Sequence, residues 1–104
     1  EMKTKYYKPL PECLTVQKSE VHGLGMFALE KILKETDLGT SHIFHVDFED
    51  EYIRTPLGGF INHSETPNCE IKINVDGYNL VTLYDIEKGE ELTLKYNLYN
   101  PTDE

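Results

Sequence analysis

Tryptophan is absent from this chain and cysteine is scarce, with two in 104 residues. Cys13 and Cys69 cannot build the multi-bridge framework of a small secreted domain. Neither belongs to a Cys-x-x-Cys pair, so a structural zinc site lacks its ligand set, and both read as reduced thiols. Basic residues are outnumbered, 10 Lys and Arg against 19 Asp and Glu, which leaves a formal charge of −9. That sign repels polyphosphate, which argues against direct nucleic-acid binding, and it attracts a basic peptide. No apolar run approaches the roughly 18 residues of a membrane helix, and no signal-peptide pattern opens the chain. An intracellular protein, cytoplasmic or nuclear and not secreted, is the expectation, with no membrane partner.

What is present suits one domain with a modest core. Residues 1–12 are polar, carry Pro9 and Pro11, and read as an N-terminal arm. Residues 13–100 form the domain and 101–104 a tail. Leu14-Thr15-Val16 is a strand candidate that leads to a turn at Gly23 and Gly25. Met26 to Leu29 re-enters the core. Glu30 to Asp37 fits a charged turn between strands, and Leu38 onward looks extended. Phe48 to Tyr52 reads as an acidic loop or a helical turn, and Pro56 to Phe60 as a short turn of helix. Cys69, Ile71, Ile73 and Val75 alternate with polar residues, the period of a half-buried strand. Asp76-Gly77 supplies the residues of a two-residue type I′ turn, and Tyr78 to Tyr84 returns. After a turn at Lys88-Gly89, the alternation of Leu92, Leu94 and Tyr96 marks a last strand. The expected class is mostly β, built of short strands with little helix.

Three short motifs stand out. Gly23-Leu24-Gly25 lets backbone approach a ligand closely, although a plain hairpin turn would also use it. Asn62-His63 follows Phe60-Ile61, which carries the Asn62 amide into a partly buried place where it needs hydrogen-bond partners. Gly89-Glu90-Glu91-Leu92-Thr93-Leu94-Lys95-Tyr96 closes the series. Glu90 and Glu91 flank a turn and read as solvated, with no catalytic role. His42 and His45 have ligand-like spacing, but on a strand i and i+3 face opposite ways, so no metal site is expected.

In this order, His22-Gly23-Leu24-Gly25-Met26-Phe27-Ala28, then Phe60-Ile61-Asn62-His63-Ser64-Glu65-Thr66-Pro67-Asn68-Cys69, then Gly89 to Tyr96 resemble the SET-domain family of protein lysine methyltransferases. The resemblance spans about Leu14 to Tyr99. It implies a β-clip-like SET fold of small sheets with a knot-like C-terminal crossing that brings Asn62 near Tyr96. It also implies S-adenosyl-L-methionine as cofactor and a lysine-containing basic protein or peptide, histone-like, as substrate. Cofactor contacts would fall to His22, Gly23, Leu24, Gly25, Asn62, His63, Tyr96 and Tyr99. Tyr96 takes the catalytic position, and Ile71, Leu94 and Tyr96 take the substrate channel.

The chain departs from the family in several places. It lacks the cysteines that follow the last strand in many members, and Glu65 stands where such members carry a Cys. Gly59 replaces an Arg often found before Phe-Ile-Asn-His-Ser. No Tyr occurs in Thr40-Ser41-His42, where many members place a second channel Tyr. Only eight residues follow Tyr96, so a short lid is expected, and a homodimer would complete the groove. The alternative implied by these departures is a catalytically inactive SET-like module that binds a basic peptide. Neither Ile71 nor Leu94 carries a phenol, which suggests space for more than one methyl group.

Overall fold

The computed structural model describes residues 10–44 and 52–95. Strands β1 (Leu14–Lys18) and β2 (Leu24–Ala28) form a ribbon. After it come β3 (Asp37–Phe44), β4 (Tyr52–Arg54) and a single helical turn, α1 (Pro56–Gly59). Then follow β5 (Asn62–His63), β6 (Cys69–Ile73), β7 (Gly77–Thr82) and β8 (Glu91–Leu94). The spatial order is β1-β2-β8-β6-β7-β3-β4, with β5 alongside β8. The mostly-β expectation holds, and the helical turn at Pro56 falls where the sequence places it, with the ring at a position whose N–H no helix bond needs.

Burial follows the pleat. Met26 and Ala28 point into the core from β2, and Leu92 and Leu94 do so from β8, while Phe27, Glu91 and Thr93 stay partly exposed. Leu14, Leu38, Leu57, Ile61, Cys69, Leu80 and Ile86 belong to the same apolar cluster. The charged stretch after β2 contributes more than a turn. Ile32 is buried and bridges Ile86, with N–H to carbonyl bonds in both directions at 2.8 and 2.7 Å.

The β6–β7 hairpin forms, but not around a two-residue turn. Ile73 pairs with Tyr78, so four residues make the loop. Asp76 does not adopt the positive φ that a type I′ turn demands. Instead Asn74 Oδ1 accepts from the Asp76 and Gly77 amides at 2.7 and 2.9 Å, and Asn74 N–H donates to Gly77 O at 2.8 Å. An Asn side chain competing for local amides ends the strand early. Val75 is accordingly 91% exposed rather than core-facing.

The crossing at the C-terminal side is built by β8. Leu94 has His63 of β5 on one side and Cys69 of β6 on the other, both in parallel register. Strand β8 thus runs between two strands that residues 64–68 join. Asn68 extends this ladder with its side chain: Nδ2 donates to Glu91 O at 2.9 Å and Oδ1 accepts from Thr93 N–H at 2.8 Å. The amide of Asn68 substitutes for a strand backbone where none fits.

His42 belongs to the interior, 1% exposed, with Nδ1 at 2.8 Å from Ser41 Oγ. Burial, and then the nearby Arg54 charge, lower its pKa to about 4, so it is neutral at physiological pH. His45 lies outside the described residues. Both cysteines are free thiols, and burial pushes Cys69 up to about 12.

Candidate active site

The site begins with a turn. Ser19 N–H donates to Gly23 O at 2.8 Å, and Gly23 has φ +46°, which a side chain would resist. Nothing lies within 4 Å of where a Cβ on Gly23 would stand. Backbone is therefore open to a ligand here, as the sequence motif suggests.

Beside this turn lies Asn62, 9% exposed, on β5. Its Nδ2 donates to three acceptors: His22 O at 3.1 Å, Leu24 O at 3.1 Å and Glu91 Oε2 at 2.8 Å. The partners that a buried amide requires are thus found within the protein. Glu91 is the correction to the sequence reading. Its carboxylate is not simply turned to water: the residue is half-buried, and it accepts from Ser19 Oγ at 2.8 and 2.9 Å as well as from Asn62. Its position follows from β2–β8 pairing, which sets Glu91 against Phe27. Glu90 does stay exposed, and its carboxylate accepts from Glu87 N–H at 2.8 Å.

A Cβ on Gly25 would land within contact distance of Glu91 Oε2 and Asn62 Nδ2. The absence of a side chain makes the space in which these groups meet. With its nitrogen held by these acceptors, the Asn62 amide leaves its oxygen as an acceptor for an ammonium group beside the open glycine turn. The residues present therefore fit the amino-acid end of S-adenosyl-L-methionine.

His63 is half-buried, and its Nε2 lies 2.8 Å from Glu65 Oε2. Lys95 Nζ reaches Glu65 Oε1 at 3.4 Å. His63 first, then Lys95, hold the exposed Glu65 carboxyl below the usual carboxylate range. Glu65 thus ties the 64–68 loop to the end of β8.

On the other side of β8 opens a cleft of about 270 Å³, lined by Pro67, Cys69, Glu70, Ile71, Leu83, Leu94 and Lys95. The structure brings Ile71 and Leu94 together there. Leu83, which the sequence reading did not single out, joins them because it directly follows β7. Tyr96 and Tyr99 lie outside the described residues.

The SET domain family model matches residues 42–97, more than half of the chain. This chain belongs to the SET-domain family. Among curated proteins, it is 40% identical over 81 residues to an Emericella nidulans histone-lysine N-methyltransferase, H3 lysine-4 specific. That match covers 71% of this chain and 7% of the relative. The Schizosaccharomyces pombe protein of the same description is 31% identical over 118 residues, covering 82% and 13% respectively. The chain thus spans a small fraction of the curated relatives it matches. A crystal structure of a candidate Plasmodium falciparum histone methyltransferase superposes with a TM-score of 0.61 at 24% identity, over 84% of this chain and 95% of that one. That likeness is one of fold.

Proposed function

We propose that the chain transfers a methyl group from S-adenosyl-L-methionine to the side-chain amine of a lysine in a basic protein, with a histone tail as the leading candidate. The observation that carries this reading is the placement of β8. One strand pairs with the glycine strand β2 and with Asn62-His63, and its Leu94 lines the cleft with Ile71. Donor-side and acceptor-side residues therefore share one backbone.

The cofactor, when bound, supplies a methyl group activated by a sulfonium. Backbone at His22, Gly23, Leu24 and Gly25, with Asn62 and His63, would hold it. A lysine amine attacks only as the neutral base, although its free pKa is near 10.4. The apolar wall of Ile71, Leu83 and Leu94 disfavours the charged form by desolvation. Tyr96 is assigned the task of orienting the amine lone pair along the methyl–sulfur axis. Transfer would join the methyl carbon to the lysine nitrogen at the expense of its bond to sulfur, and the extra proton of the product ammonium would pass to solvent. The relatives' descriptions name H3 lysine-4, and that substrate fits the −9 charge of this chain. A nuclear location would follow from it. A homodimer that completes the peptide groove is also part of this proposal; sedimentation showing only monomer at high concentration counts against that part.

The test is methyl transfer to histone H3 peptides, read by mass spectrometry, with Tyr96→Phe as comparison. We expect transfer that falls about 10²-fold in the variant, of the size lost when a positioned group is removed. Peaks beyond one added methyl would fit the absence of a phenol at positions 71 and 94. Peptide binding without any transfer would instead favour the inactive binding module.

A further inference from the structure

The Asn62 amide nitrogen carries two hydrogens, yet three acceptors lie within 3.1 Å of it. Oxygen and nitrogen of an amide have nearly the same shape, so its orientation is decided by neighbours. Two carbonyls alone would favour the nitrogen inward. The Glu91 carboxylate makes that choice decisive, because an amide oxygen turned toward it would meet a negative charge at hydrogen-bond distance. Among the described residues, the hydrogen bonds of the Asn62 side chain all run through Nδ2.

Glu91 is itself held. The Ser19 hydroxyl spans both carboxylate oxygens, and Ser19 Oγ accepts from the Val21 amide at 2.8 Å. A single chain of hydrogen bonds thus runs from the turn before Gly23, through Ser19 and Glu91, to Asn62. We infer that Glu91 is a positioning residue for recognition of the cofactor's amino group. It fixes the Asn62 amide with its nitrogen inward, so that its oxygen faces away as an acceptor for an ammonium. This inference rests on the functional reading above and extends it to a residue outside the three motifs' glycine, Asn-His and Tyr positions.

The experiment is a two-by-two comparison by calorimetric titration of the unaltered chain and Glu91→Gln. The ligands are S-adenosylhomocysteine and its deaminated analogue, which lacks only the amino group. The unaltered chain is expected to prefer S-adenosylhomocysteine by about tenfold or more, and Glu91→Gln to shrink that preference to about twofold while still binding the analogue. Thermal melting of each variant checks the fold. If Glu91→Gln does not fold, Glu91→Asp takes its place, and the shortened carboxylate should lower the preference part-way. Equal preference in variant and unaltered chain overturns the inference and leaves the functional reading standing. So does a parallel loss of both ligands, which marks Glu91 as merely structural. Failure of the unaltered chain to bind either ligand removes both readings together.

Discussion

Gly25 on β2 and Gly77 at the head of β7 both lack room for a Cβ, but what fills the room differs. At Gly77 the obstruction is backbone, the carbonyl of His42 and the Cα of Ile43 on the neighbouring strand. At Gly25 it is the tip of the Glu91 side chain and the Asn62 amide. Backbone in a paired strand cannot retreat without breaking its ladder, whereas a side-chain end can swing away. One glycine therefore serves the fold and the other serves the site.

The difference can be broken open by substitution. Gly77→Ala should cost about 3 kcal/mol or more, since two strands must part to admit the methyl. Urea unfolding measures it, and a loss below 1 kcal/mol would show that the hairpin yields more readily than its packing suggests. The same region carries an acid sensitivity. His42 has a folded pKa near 4 against an ordinary 6.5, so the unfolded chain takes up the proton first as pH falls. The stabilisation is complete above about pH 6.5 and is lost as pH drops toward 4. Between pH 7 and 4.5 we expect the unaltered chain to lose about 2 kcal/mol more than His42→Gln, from paired urea titrations. Gly25→Ala should change stability least, by about 1 kcal/mol. Yet it should weaken S-adenosylhomocysteine binding at least about tenfold, because the Glu91–Asn62 contact must open. Should Gly25→Ala unfold the chain as readily as Gly77→Ala, the distinction between the two glycines fails.

The same contrast explains what could be read from residues alone. Alternation from Cys69 marks the hairpin, and its two strands pair there, although the first ends at Ile73, short of Val75, and the second at Thr82, short of Tyr84. The turn was misassigned because Asp76-Gly77 fits a tight loop, whereas Asn74 captured the local amides first. Ile32 is hidden inside a charged stretch, since it and the exposed Leu33 beside it make no period. The Gly23-Leu24-Gly25 and Asn62-His63 motifs were visible as motifs, and the structure sets them side by side. Glu91 was not legible. An acid next to a turn usually faces water, and its partners lie 72 and 29 positions earlier at Ser19 and Asn62. Only strand pairing between β2 and β8 reveals why its carboxylate meets them. The assignments to Tyr96 and Tyr99 rest on sequence resemblance.

The position of β8 has a consequence for the newborn chain. The Glu91 contacts to Ser19 and Asn62, and the strand pairing of Asn62-His63, wait on Glu91–Leu94, the last of the described strands to leave the ribosome. Until it emerges, β2 lacks its second strand neighbour and Asn62-His63 has no strand to pair with. A truncated or stalled product would therefore lack the Glu91 anchor of the Asn62 amide, and an amide fixed in that way would itself certify that synthesis had run at least to that strand.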